Sequence, residues 1–197
     1  MKKDNSRVIF TKEMKKNYTI LMPMMLPTHM RLLEKTLRLH GYNVELLETD
    51  NDNIVYEGLK NVHNDTCYPA LLVIGQLLDA LKSGKYDMNK TALIITQTGG
   101  SCRASKYIHL LRKALKQNNM GHIPVISLNI SGLEKNPGFK LTLSLTVRLI
   151  YAVVYADLLM WLANQTRPYE INPGETDKLV EYWEDILSEE YHHAINL

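Results

Sequence analysis

Two cysteines, Cys67 and Cys102, are the residues of this chain whose type and setting best suit chemistry. Cys67 stands in Asn64-Asp65-Thr66-Cys67-Tyr68-Pro69 and Cys102 in Gln97-Thr98-Gly99-Gly100-Ser101-Cys102-Arg103, each just ahead of a helical pattern. A thiol at a helix start faces unpaired N–H groups and the positive end of the helix dipole. Both favour the thiolate, the form that binds metals and attacks electrophiles. Gly99 and Gly100 let the backbone approach a bulky anionic ligand, such as a phosphate or a metal cluster. The two sulfurs are therefore expected to share one ligand site, and an iron–sulfur site leads.

The spacing narrows the metal. The cysteines are 35 positions apart, which matches no compact zinc motif, since those need a Cys-x-x-Cys-type pair. Soft thiolates favour iron–sulfur or zinc over hard cations. Two inert buried thiols are the plain alternative. Gly99-Gly100-Ser101 reads as a nest of N–H groups facing cluster sulfides or a phosphate, or simply as a strand-to-helix turn. Arg103 would neutralise an anionic cluster or the phosphates of coenzyme A, or else is a surface cation. His29 follows the first expected strand and is a candidate for the same edge; His192-His193 is a weak metal signal. Tyr68 and Tyr107 flank the cysteines, where aromatic packing is the commoner role. No Ser/His/Asp or paired-carboxylate constellation stands out, so hydrolysis has no support.

These residues need a scaffold, and 197 residues are enough to bury a real core. Apolar content of 45% and charged content of 22% are ordinary for a globular protein. A net charge of +2 argues for neither nucleic acid nor an anionic membrane surface as partner. Two cysteines are too few for a disulfide scaffold, and Met1-Lys2-Lys3-Asp4-Asn5 is unlike a secretion signal, so a reducing cytoplasm is expected. Leu141 to Ala163 is apolar enough to raise the membrane question. Arg148 and Asp157 near its middle would each cost a few kcal/mol in lipid, so a buried helix is expected there.

Periodicity supplies the elements. Residues 1–17 form a basic, polar lead-in. Tyr18 to Met24 reads as a buried strand, Thr28 as the cap of a helix from Met30 to His40, and Val44 to Leu47 as a second strand. A helix from Ile54 to Val62 delivers the chain to Cys67. Pro69 opens the next helix, apolar nearly all round through Leu81. Ala92 to Thr96 is a third strand, a helix follows Cys102 through Leu115, and Val125 to Leu128 is a fourth strand. Two long helical patterns close the chain, with Thr176 a candidate cap for the last. This alternation predicts an α/β fold: a Rossmann-like parallel sheet of about four strands with helices on both faces, followed by a helical C-terminal portion. The expected organisation is the lead-in, an α/β domain over residues 18–137 with both cysteines, and a helical portion over 138–197 of the same unit.

Several stretches together carry a resemblance. They are Asn64-Asp65-Thr66-Cys67-Tyr68-Pro69, Gly75-Gln76, Ser83-Gly84-Lys85-Tyr86-Asp87, Gln97-Thr98-Gly99-Gly100, Cys102-Arg103-Ala104-Ser105, Pro124-Val125-Ile126-Ser127-Leu128-Asn129, Gly138-Phe139-Lys140-Leu141-Thr142 and Arg167-Pro168-Tyr169-Glu170. From about Phe10 to about Trp183 the chain resembles the dehydratase-like part of the large acyl-CoA dehydratase activase-related proteins. These are kin to 2-hydroxyglutaryl-CoA dehydratase, benzoyl-CoA reductase and the double-cubane-cluster proteins of anaerobes.

The resemblance implies Rossmann-like domains that hold an oxygen-sensitive iron–sulfur cluster, of 4Fe-4S or double-cubane type, on three thiolates. It also implies an ATP-dependent activator that feeds the cluster low-potential electrons. Cys67 and Cys102 fall where the family's first two ligands fall. The sequence has no third cysteine and no actin-like ATPase segments, so ligation within it is incomplete. A second copy, another chain, water or a non-cysteine ligand would then supply the rest; otherwise the chain is a degenerate fragment without a cluster. Whether the chain is itself an enzyme stays open. The alternatives are a non-catalytic assembly module of a larger dehydratase-like complex, or a domain that binds coenzyme A or nucleotide phosphate through the glycine turn.

Overall fold

The computed structural model describes residues 7–63, 65–97, 106–129 and 134–194, the last four of these without side chains. In chain order the elements are α1 (Met14–Asn17), β1 (Thr19–Pro23), α2 (Pro27–Leu39), β2 (Val44–Leu47), α3 (Asp52–Asn61), α4 (Tyr68–Lys82), β3 (Thr91–Thr96), α5 (Tyr107–Gln117), β4 (Val125–Leu128), α6 (Leu143–Thr166) and α7 (Glu175–Ala194). They fall into two compact units, residues 1–24 with 43–140 and residues 25–42 with 141–197.

The first unit is built on a parallel sheet of order β2-β1-β3-β4. Ile20 pairs with Val44 on one side and Ala92 on the other, and Ile94 pairs with Ile126. The strands are short apolar runs (Ile20-Leu21-Met22, Ala92-Leu93-Ile94-Ile95, Val125-Ile126), and all of these residues are buried, as a parallel sheet requires. The fold class is therefore α/β, a Rossmann-like sheet flanked by helices and followed by a helical C-terminal part.

Ten of the fifteen residues of α4 are buried, because it packs on the sheet with one side and on α3 with another. The second contact depends on glycine. A Cβ on Gly75 would collide with the Ile54 carbonyl and lie 2.9 Å from the Gly58 nitrogen, while one on Gly58 would lie 2.5 Å from the Leu71 carbonyl oxygen. Backbone against backbone cannot yield as a flexible side chain can.

Gln76 fixes α4 along the sheet. It is 5% exposed, accepts a hydrogen bond from the Met24 N–H at 2.8 Å, and donates to the carbonyls of Leu47 at 3.0 Å and Thr49 at 2.8 Å. These groups lie at and just past the carboxyl ends of β1 and β2. Beyond the other end of α4, Lys85 Nζ and the Tyr86 hydroxyl both donate to Glu45 Oε1 at 2.6 Å. The helix thus runs antiparallel to the strands, with its N-terminus towards their carboxyl edge.

The second unit is helical. α6 packs against α2, and α7 packs against both. Thr28 does not cap α2: the helix opens at Pro27 behind Leu26, since proline suits a first turn whose N–H groups have no partner anyway. Nor does Thr176 cap α7. The Glu170 carboxylate does so instead, accepting from the Gly174 N–H at 2.9 Å and the Thr176 N–H at 3.0 Å, and these bonds hold it below the usual carboxylate range. Ion pairs join α2 to α7: Lys35 meets Asp185 at 2.6 Å, and Arg31 lies 3.9 Å from both Glu181 and Glu184.

The apolar stretch expected to be a buried helix is α6, and most of it is exposed. Leu145, Arg148, Ala152, Ala156, Leu159 and Ala163 form one buried stripe at three- and four-residue spacing. On the opposite flank Leu143, Ile150, Val154, Leu158 and Trp161 lie open to solvent. A helix is apolar all round when it has neighbours all round, and among the described residues α6 has them on one side only. By length and composition its span is the one helix among the described residues that could cross a membrane, with mean hydropathy 1.6 and 28% of that window buried.

Replacing Gln76 by the near-isosteric leucine leaves two carbonyls and one N–H without their partner. Gln76→Leu is expected to destabilise the protein by about 3 kcal/mol in urea unfolding, through unsatisfied buried backbone groups. A cost below about 1 kcal/mol would mean that the three bonds contribute little.

Candidate functional site

In a parallel sheet all carboxyl ends share one edge. The order β2-β1-β3-β4 sends the chain to opposite sides after β1 and after β3. That reversal places a topological switch point at the carboxyl edge between them, the usual ligand position in such sheets. Polar residues gather at this edge. Ser127 Oγ donates to Gln97 Oε1 at 2.6 Å, and Asn129 Nδ2 donates to Ser127 Oγ. Gln97 follows β3 directly, and Ser127 and Asn129 straddle the end of β4. None was singled out as a site residue from sequence. The available signal was the switch from a continuous apolar run to an amide or hydroxyl at a strand end.

Cys67 is the N-cap of α4, with extended backbone at φ −62° and ψ 146°. Its carbonyl accepts the first helical bonds, from Ala70 N–H at 3.0 Å and Leu71 N–H at 3.3 Å. Its side chain makes no capping bond, which leaves the sulfur to other partners. The residue is exposed, and Sγ lies 3.0 Å from the hydroxyl of Tyr107, the buried first residue of α5. A phenol beside a helix-start sulfur can donate to the thiolate, a charge-assisted bond stronger than a neutral one. Tyr107 therefore has a polar role that its reading as an aromatic packing residue did not include. Tyr68 is exposed, so it is not a core aromatic.

The remaining expected site residues, Gly99, Gly100, Ser101, Cys102 and Arg103, lie outside the described residues. His29 belongs to α2 in the helical unit, where its Nε2 meets Asp157 Oδ1 at 2.8 Å and its Nδ1 is buried without a hydrogen-bond partner among the described residues. His192 and His193 fall among the residues whose side chains are not described. Among the described residues no three His, Cys, Asp or Glu side chains converge on a point that could hold a metal ion. Among the described residues the edge also holds a soft sulfur, exposed and at a helix start, a donor type that suits a thiolate-ligated metal better than a hard cation.

No protein-family model, no curated protein and no solved structure matches the chain.

Removing the phenol should raise the pH at which Cys67 becomes nucleophilic. In a Cys102→Ser background, Tyr107→Phe is expected to move the midpoint of iodoacetamide alkylation up by about one pH unit, the equivalent of one lost charge-assisted bond. An unmoved midpoint would show that the hydroxyl does not donate to the thiolate.

Proposed function

We propose that the chain is an iron–sulfur-binding, dehydratase-like subunit or fragment. It takes part in low-potential electron transfer from an ATP-dependent activator to a bound acyl-CoA-like substrate. The observation that carries this reading is the exposed sulfur of Cys67 at the start of α4, with a tyrosine hydroxyl 3.0 Å away. Tyr107 stands five positions after Cys102 in the sequence, a separation that any backbone spans within about 18 Å. The motifs around both cysteines support the same reading through the family they resemble.

In this proposal Cys67 and Cys102 are cluster ligands, and a second chain or a second copy completes the set. The N–H groups of Gly99, Gly100 and Ser101 would hydrogen-bond cluster sulfides, and Arg103 would offset the negative charge. A bound cluster supplies a one-electron donor with a coordination position open to substrate. The Tyr107 hydroxyl holds the Cys67 sulfur in its orientation. Thiolates of this kind stay reduced in a cytoplasm, the compartment the proposal assigns.

Anaerobic purification followed by iron and sulfide analysis tests the reading. The wild-type chain is expected to be brown, and Cys67→Ser and Cys102→Ser are each expected to lose most of the iron. A colourless, iron-free protein after reconstitution would overturn it.

A second reading, an assembly module, is favoured by the open flank of α6. Val154 and Trp161 are 57% and 60% exposed on it. With their apolar neighbours they offer on the order of 700 Å² of surface, close to what each partner of a standard interface buries. The occupant proposed is a second copy of this chain, because Leu143, Ile150, Val154, Leu158 and Trp161 carry no charge and can meet their own copies. Val154→Glu with Trp161→Glu is then expected to abolish concentration-dependent association in sedimentation velocity. A monomeric wild-type chain, or association unchanged in the variant, would remove this reading.

A further inference from the structure

The first unit holds a cavity of about 310 Å³ between α5 and the loop that enters β4. Gly121, Ile123 and Val125 form one wall, so it opens at the amino edge of the sheet, away from Cys67. Its other wall carries Arg7, His109, Arg112, Lys113 and Lys116. None of the described lining residues has a negative charge.

The two arginines are preset by one carboxylate. Arg112 grips Glu134 in a two-pronged pair at 2.7 and 2.6 Å and also donates to the Val125 carbonyl at 3.1 Å. Arg7 meets the same carboxylate at 2.9 Å and donates to the Lys135 carbonyl at 3.0 Å. Burial pushes the Glu134 carboxyl up. The bonds from Arg112 and the charges of Arg112, Arg7 and His109 outweigh that and hold it below its ordinary value, so it is ionised at neutral pH. Among the described residues the lining thus carries four lysine and arginine charges, two of them paired with Glu134.

His109, Lys113 and Lys116 repeat at i, i+4 and i+7, so they rise along one face of α5. Cations near a helix C-terminus also complement its dipole, an effect confined to the last turn. That accounts for Lys116. It does not account for His109 two turns back, for Arg7 arriving from the start of the chain, or for the concavity. Like charges gathered around a hollow repel one another unless a counter-charge enters it.

We infer that this cavity binds the phosphate groups of a small phosphorylated molecule, at a site separate from the cysteine edge. Its volume is at the lower end of small-molecule pockets and its charge suits a ligand with two or more negative charges. The Arg7–Glu134–Arg112 cluster forms the rigid floor, and Lys113, Lys116 and His109 reach the anion.

Calorimetric titration of the full chain with inorganic pyrophosphate at low salt tests this. Saturable binding of one pyrophosphate per chain is expected, weakening as sodium chloride is raised. Lys113 and Lys116 are exposed, so Lys113→Ala with Lys116→Ala should fold normally and bind at least tenfold more weakly. Lys113→Arg with Lys116→Arg should restore the affinity. The inference is overturned by absence of binding, by affinity that the alanine pair leaves unchanged, or by a single-stranded oligonucleotide binding more tightly than pyrophosphate.

Discussion

One buried amide sets the geometry on which the candidate site depends. Gln76 ties α4 to the carboxyl ends of β1 and β2 through three hydrogen bonds, and apolar packing alone could not fix that position. A helix that is apolar nearly all round can slide along a flat apolar sheet at little cost, since hydrophobic burial has no direction. Hydrogen bonds to fixed carbonyls do have direction, and leaving them unmade in the interior costs more than making them contributes. With α4 locked at Gln76, its start nine residues earlier must stand about 13 Å further along the helix, beyond the carboxyl edge. That is where Cys67 is carried.

The glycines of α3 and α4 complete the same constraint from the outer side. Gly58 and Gly75 let the two backbones touch, so α3 acts as a brace that holds α4 on the sheet. The loop from α3 into α4 contains Cys67, and both of its flanking helices are thereby fixed. Cys67, as the N-cap of α4, takes its backbone position from that helix while its side chain is exposed.

The two edges of the sheet carry opposite chemistry. The carboxyl edge gathers a thiol, a phenol, amides and a hydroxyl, groups that orient a ligand without much net charge. The amino edge concentrates cations around a hollow, on a floor organised by Glu134. A chain near neutrality can still hold a strongly positive site, because net charge sums over the whole molecule while a ligand meets only the local field.

The apolar runs at 20–22, 92–95 and 125–126 were enough to make the α/β reading, because strands buried on both faces tolerate few polar residues. The start of α4 was legible from Pro69 in its first turn, and with it the setting of Cys67. Other features follow from contacts between residues far apart in the chain. Arg7 and Glu134 are 127 positions apart, Met24 and Gln76 are 52 apart, and no local pattern announces either pair. Glu170 took the capping role that Thr176 had by local preference, and α2 opens at Pro27 with no side-chain cap where Thr28 was expected to provide one, since the surrounding structure decides which groups can reach a helix end. Composition likewise made α6 look like a core helix. How much of it is covered depends on its neighbours, and they cover one stripe. Local sequence thus determined the elements, their faces and the position of the thiol at a helix start. Tertiary structure alone decided the Tyr107 contact, the polar groups at the carboxyl edge and the basic cavity, because hydrogen bonds and charges act across space between residues that sequence order keeps apart.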